Sequence, residues 1–146
     1  EMPITTGNFL KLAREGFYNG TKFHRVIEGF MVKGGDPNTK TENVDSYGVG
    51  GPGYTIQDEF IAGFSNVRGT IAMANTGRPD SGGSQFFINL VDNTGLDFDK
   101  PPTGSSHPVF GKVVAGMEIV DAIGSVATTP EDRPVEPIVI SEIVVK

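Results

Sequence analysis

The chain has 146 residues, a net charge of −6 at neutral pH and no cysteine. This length favours one domain over residues 1–146, and the lack of cysteine excludes disulfide bonds and thiolate metal sites. The acidic balance argues against nucleic acid as a partner, and the apolar runs are far shorter than the ~20 residues that span a membrane. We expect a cytoplasmic protein that acts as a monomer.

Two segments have the spacing of helices. Thr5 or Thr6 is expected to cap the first helix, and Gly16 is expected to end it. In the second, over residues 117–124, apolar side chains recur every third position before a glycine.

The rest of the chain has the pattern of short strands. Its 20 glycines and 10 prolines separate short runs rich in Val, Ile and Phe, as in a β-sandwich or barrel. Strands are predicted over residues 23–27, 30–34, 54–58, 70–74, 86–90, 109–114 and 138–145. Long loops are predicted over residues 36–53, 75–84, 92–108 and 125–137.

Residues 23–37 form the most informative segment, with the sequence FHRVIEGFMVKGGDP. It places Arg25 on a short β-branched strand, followed by a glycine turn and then Phe30 and Met31. Lys33 is two positions after Met31 and shares its face, because side chains alternate along a strand. The segment therefore combines a fixed cation with apolar side chains.

A second segment, residues 84–89 (SQFFIN), shows the same alternation. Gln85, Phe87 and Asn89 are predicted to point one way, and Phe86 and Ile88 into the core. One outer surface is then expected to collect the side chains of Met31, Lys33, Ala74, Gln85 and Phe87.

Both segments, in this order and spacing, resemble the cyclophilin-type peptidyl-prolyl cis-trans isomerases. The resemblance implies a mainly β fold, a closed antiparallel eight-stranded barrel capped by two helices. The family usually has two strands before the first helix, which here begins almost at once. We therefore expect that a native N-terminal segment is missing from this chain.

The resemblance also implies an activity and its residues. The activity is cis–trans isomerisation of X–Pro bonds in peptides and unfolded protein clients, with no cofactor and no metal. Arg25 resembles the catalytic arginine. Phe30, Met31, Phe87 and Leu96 match the pocket for the proline ring, Asn75 and Gln85 match amides that bind the substrate backbone, and His107 matches the histidine at the pocket rim.

Two positions depart from the family pattern. The family's common tryptophan falls at Gly95, and the chain has no tryptophan, so we expect weak cyclosporin binding. Lys33 stands where the family usually has glutamine. We expect its head to tilt toward solvent and to favour peptides with an acidic residue near the proline.

Other patterns have weaker interpretations. Residues 48–53 (GVGGPG) match a dinucleotide fingerprint, but no strand precedes them and no helix follows. Asp92, Asp97 and Asp99 lack the glycine and glutamate of a calcium loop. His24 is expected to be a core histidine with its hydrogen bonds satisfied. The alternative function is a proline-peptide binding module with little turnover.

Overall fold

The computed structural model describes residues 1–100 and 106–146 of the chain. Of the predicted loop 92–108, residues 101–105 therefore lie outside the described part. The helices and strands, in chain order, are α1 (Pro3–Arg14), β1 (Arg25–Ile27), β2 (Met31–Gly34), β3 (Thr70–Met73), β4 (Phe86–Asn89), β5 (Val109–Lys112) and α2 (Met117–Gly124). Three short 3₁₀ helices cover Pro37–Lys40, Val44–Ser46 and Thr94–Leu96.

Helix α1 begins earlier than its sequence predicts. Pro3 occupies its first turn, where the missing proline N–H costs no hydrogen bond. The predicted threonine cap is therefore wrong, and Thr5 lies inside the helix, where its N–H donates to the Glu59 carboxylate at 2.6 Å. At the other end, Gly16 has a φ of 71° and follows the helix as expected of a terminating glycine.

The strands form one antiparallel sheet in the order β1-β2-β4-β3-β5. Arg25 is opposite Lys33 across β1 and β2, and Lys33 is opposite Phe87 across β2 and β4. Ala72 of β3 continues this row beside Phe87. Since directly opposed residues point to the same side of a sheet, the row places two cations next to an aromatic ring.

The mainly β prediction with two helices is confirmed, but two predicted strands are not strands. Among the described residues, segment 54–58 makes a single bridge, Ile56 to Gly82, and a bend over residues 52–54 precedes it. Within residues 1–100 and 106–146, segment 138–145 pairs only with residues 20–23, through bonds that include Ile140 N–H to the Thr21 carbonyl at 2.8 Å. Among the described residues β1 and β5 do not pair, so closure into an eight-stranded barrel is not confirmed.

The two faces of the sheet are covered differently. Phe86 packs with Leu12 and Tyr18 on the α1 side, and Ile88 packs in a cluster that α2 covers. On the opposite face Phe87 packs with Met31, Ala72, Ala74 and Val109, and Ile27, Phe30 and Leu96 lie against this cluster. This confirms the predicted alternation along β4 and leaves the Phe87 face open to ligands. Neither helix in the described part of the chain is long and apolar enough to cross a membrane.

Candidate active site

A shallow pocket of about 60 Å³ opens on the Phe87 face of the sheet. Its floor is apolar, since Phe87 and Met31 are buried to 4% and 3% exposure. Eight of the ten residues predicted for the site line this pocket: Arg25, Phe30, Met31, Lys33, Ala74, Phe87, Leu96 and His107. The pocket is therefore a small apolar depression with cations at its rim.

The Arg25 side chain is exposed at this rim. Among the described residues its guanidinium makes no hydrogen bond and no ion pair, so its donors are available to a ligand. Lys33 is half-buried beside it, less exposed than we expected. Burial lowers the pKa of the Lys33 ammonium, and the positive charge of Arg25 lowers it further.

The other two predicted residues, Asn75 and Gln85, line an adjoining cavity of about 350 Å³. The Gln85 amide nitrogen donates to the carbonyls of Gly48 at 3.0 Å and Gly50 at 2.8 Å. Gln85 thus holds the glycine-rich loop 48–53 as a wall of the cavity. That loop, unlike a nucleotide-binding loop, leads into no helix.

The side chain of Asn75 is used within the protein. Its amide nitrogen donates to the Ser106 carbonyl at 2.7 Å, and its oxygen accepts from Gly77 N–H at 3.0 Å. Within the described part of the chain, the main-chain N–H and carbonyl of Asn75 have no hydrogen-bond partner. The main chain of Asn75, held still by its side chain, is thus the part available to a peptide.

His107 is packed at the edge of the pocket. Its ring meets the Phe87 ring edge to face, with centroids 5.2 Å apart. Burial lowers the pKa of His107 despite its contact with the Met73 carbonyl, so the ring is neutral at pH 7. Because a carbonyl only accepts, the Nδ1 atom, 2.9 Å from the Met73 oxygen, carries the proton.

A network of asparagines behind the pocket was not predicted. The fully buried Asn89 side chain donates to the Asn66 oxygen at 3.1 Å and to the Thr70 hydroxyl at 2.9 Å. Asn93 donates to the Asn89 oxygen at 2.8 Å and to the Phe30 carbonyl at 2.9 Å. The network therefore fixes the turn that carries Phe30. Asn89 lies in a predicted strand and Asn93 in a predicted loop, and neither local pattern gave a signal of this arrangement in the sequence.

Asp97 completes the network. It accepts from Asn66 N–H at 2.7 Å, from the Ser65 hydroxyl and from the Lys100 ammonium at 3.0 Å. Burial alone would raise the pKa of Asp97, but these hydrogen bonds outweigh it and lower the pKa to about 2. Asn66 also donates to the His107 carbonyl at 3.2 Å. Through Asn66, the Asp97 carboxylate is therefore connected to the main chain of His107 at the edge of the pocket.

His24 is buried as expected, at 7% exposure, but its predicted hydrogen bonds are missing. Neither ring nitrogen has a partner among the described residues. Burial lowers the pKa of His24 to about 4, against the opposing effect of the Asp36 carboxylate. The ring is neutral at pH 7. The reason for the error is that Asp36 instead accepts from loop N–H groups, those of Asn38 and Gly48.

The site can act on a ligand through its positive charges and through the shape of its apolar pocket. Over residues 1–100 and 106–146 no group of three or more His, Asp or Glu side chains is placed to hold a metal ion. The pocket presents a guanidinium, an ammonium, a neutral imidazole and apolar rings. This set suits a ligand with a compact apolar ring that is attached to a hydrogen-bonding backbone.

Comparison with known proteins agrees with this geometry. The family model described as cyclophilin type peptidyl-prolyl cis-trans isomerase/CLD matches residues 1–145. Peptidyl-prolyl cis-trans isomerase B of Escherichia coli is 43% identical, over 98% of this chain and 87% of its own length. A peptidyl-prolyl cis-trans isomerase of Acinetobacter baylyi is 41% identical, over 99% of this chain and 74% of its own length.

The fold gives the same result. A crystal structure of a Cryptosporidium parvum cyclophilin type peptidyl-prolyl cis-trans isomerase, determined in the presence of the dipeptide Ala-Pro, superposes with a TM-score of 0.85. It is 31% identical, and the match covers 99% of this chain and 86% of that chain. The chain therefore belongs to the cyclophilin-type peptidyl-prolyl cis-trans isomerase family.

Proposed function

We propose that this protein catalyses cis–trans isomerisation of X–Pro bonds in peptides and unfolded proteins, with Arg25 as its catalytic residue. One observation carries the proposal: the Arg25 guanidinium, unpartnered among the described residues, lies at the rim of a small apolar pocket. The Ala-Pro dipeptide in the related crystal structure supports a proline-containing ligand.

The reaction has one barrier and needs no covalent step. Rotation about the amide C–N bond must overcome ~18–20 kcal/mol, because resonance is lost on the way. At the twisted midpoint the prolyl nitrogen regains its lone pair and accepts a hydrogen bond, which the planar amide nitrogen does not. A donor aimed at that nitrogen therefore stabilises the transition state more than the ground state.

Arg25 fits this role because it is permanently charged and offers a rigid fork of donors. Its strand and the pairing of β1 with β2 hold the base of the side chain still. Only the end of the side chain then needs ordering when a substrate binds.

The other residues hold one end of the peptide while the other end turns. The proline ring would lie against Phe87 and Met31, with Phe30 and Leu96 at its sides. The main chain of Asn75 would bind the peptide backbone, and the Gln85 side-chain oxygen offers a further acceptor. His107 would act by position, because its neutral ring packs against Phe87 and rotation needs no proton.

Two further proposals follow from the family. Single bridges at Lys22–Val139 and Ile56–Gly82 are where additional strands of an eight-stranded barrel would pair. Weak binding of cyclosporin is proposed because Gly95, beside the pocket residue Leu96, presents no aromatic surface.

The test is an exchange measurement by NMR on a short X–Pro peptide. We expect exchange cross-peaks between the cis and trans forms at catalytic protein concentrations, whereas uncatalysed exchange takes tens to hundreds of seconds. Binding of the peptide without accelerated exchange would overturn the proposal in favour of the proline-peptide binding module.

A further inference from the structure

A second cavity, of about 520 Å³, lies beside the proline pocket. The two share Arg25 and Lys33 as a common wall. Because of this shared wall, a peptide with its proline in the small pocket would have its neighbouring residues beside the larger cavity. A neighbouring side chain of the same peptide can therefore enter it.

Three cations line this second cavity. Arg25 and Lys33 are directly opposed on neighbouring strands. Arg133 joins them because the chain after α2 bonds to the outer edge of β1, where Val26 N–H donates to the Asp132 carbonyl at 2.7 Å. Residues more than a hundred positions apart in the sequence thus form one positive cluster.

The positive charge of the cluster is not balanced by ion pairs. None of its three cations lies within 4.0 Å of a carboxylate among the described residues, although Lys22, Arg68 and Lys100 all do. Asp45 and Glu131 also line the cavity. Three cations against two carboxylates leave an excess of one positive charge, in a chain whose net charge is −6.

His24 also lines the cavity, and it adds no charge near pH 7 because burial lowers its pKa to about 4. Partial burial of Lys33 and the adjacent Arg25 both disfavour the charged form of the Lys33 ammonium. An anion at this wall would relieve the repulsion between the two side chains.

We propose that the second cavity is a subsite for an acidic side chain of the substrate, so that this enzyme prefers X–Pro peptides with Glu or Asp close to the proline. The proposal rests on the proposed isomerase function. The expected ligand is a peptide carboxylate, bound by Lys33 and Arg133 while Arg25 acts on the proline.

The experiment uses pairs of peptides with Glu or Gln at each of the three positions on either side of the proline. For the parent protein at low salt, we expect kcat/KM for the best Glu peptide to exceed that for its Gln partner by about three- to tenfold. The ratio should fall toward one in high salt, because exposed charges are screened.

Two variants test whether the preference for Glu peptides depends on the second cavity. Arg133→Gln lies outside the catalytic and proline-binding residues, so it should keep turnover of the Gln peptides and lose most of the Glu preference. Lys33→Gln should lose the preference as well. Arg14→Gln is the matched control, since it removes one exposed positive charge from α1 and should leave the ratio unchanged.

A Glu-to-Gln ratio near one in the parent, or an unchanged ratio in both Arg133→Gln and Lys33→Gln, would overturn the subsite. Dissociation constants of the same peptides, measured by NMR titration, separate this failure from that of the isomerase function. If no peptide is turned over, the ratio of dissociation constants still decides whether the acidic subsite exists.

Discussion

At the scale of single residues, the opposition of Arg25 and Lys33 has the largest effect on the properties of the site. Like charges directly opposed across two strands destabilise a sheet, and here both side chains also face a partly buried pocket. Arg25 is exposed, whereas Lys33 is half-buried. The arginine therefore presents its donors at the rim, whereas burial, and then the neighbouring charge of Arg25, lower the pKa of the Lys33 ammonium.

Arg25→Ala tests the catalytic assignment. We expect kcat/KM to fall about 10²–10³-fold, the scale of losing one preorganised donor to the transition state. The free energy of unfolding should barely change, because the side chain is exposed. Arg25→Lys should restore little activity, since one ammonium does not reproduce a rigid fork. Turnover by Arg25→Ala equal to that of the parent would contradict the mechanism.

Gly95 offers a residue-scale test of ligand binding. It lies in the 3₁₀ helix Thr94–Leu96, and a Cβ added there meets nothing within 4 Å. Gly95→Trp should therefore fit and strengthen cyclosporin binding by at least about tenfold in calorimetry, because the indole adds apolar area and an N–H donor. Gly7→Trp, at another open position, is the control. Nanomolar affinity in the parent would be evidence against this assignment.

At the scale of elements, β4 separates the two functions of the sheet. Phe86 packs edge to face with Phe9 and Tyr18, with ring centroids 5.5 and 5.6 Å apart. Phe87, one residue later, meets His107 on the other face. Adjacent positions of one strand thus contribute one aromatic ring to stability and the next to binding.

Comparing Phe86→Ala with Phe87→Ala tests this division. Phe86→Ala should lower the free energy of unfolding by roughly 3–5 kcal/mol, as for other buried aromatic residues. Phe87→Ala should cost less stability, because one side of its ring faces the pocket, and should raise KM for proline peptides. Urea denaturation and peptide kinetics give both values. Exchanged effects would mean that the strand register is shifted by one residue.

The turn that carries Phe30 and the loop that carries Leu96 depend on the asparagine network and Asp97. Asp97→Asn should keep the shape of the side chain but lose at least one of its accepted hydrogen bonds, from Ser65, Asn66 or Lys100. We expect a loss of roughly 1–3 kcal/mol in stability and a raised KM. A double variant with Phe87→Ala should show coupling in KM if the loop acts through the pocket, and additivity in KM would contradict that.

At the scale of the whole molecule, buried ionisable groups make stability depend on pH. His24 has a pKa of about 4 when folded, because burial disfavours its charged form, against about 6.5 when unfolded. Between these values the unfolded chain binds more protons, so stability falls as pH drops from about 6.5 to 4. His107 acts in the same direction, since its pKa is also lowered.

We therefore expect the free energy of unfolding to fall by about 3 kcal/mol from His24 between pH 7 and 4. Asp97 adds a second loss at lower pH. Its folded pKa of about 2 is below the unfolded value of about 3.9, so its contribution disappears as pH falls through that interval. Urea denaturation at several pH values tests this. His24→Gln should flatten the first interval, and an unchanged slope would refute the assignment to His24.

The sequence by itself determined what depends on local spacing. Alternation along residues 85–89 correctly assigned Phe86 to the core and Phe87 to the open face, because the direction of a strand side chain depends only on its position. The two motifs and the family resemblance predicted ten site residues, and all ten line the two adjoining cavities.

Only the tertiary structure decided what depends on distant segments meeting. The hydrogen bonds of Asn66 to Asp97, the bonding of segment 138–145 to residues 20–23 and the arrival of Arg133 beside Arg25 join parts of the chain that are far apart. Local patterns carry no information on such pairings, because a polar side chain in a loop has the same sequence signal whether solvent or a buried partner satisfies it. The pH dependence from His24 and the second cavity could therefore be identified only from the folded structure.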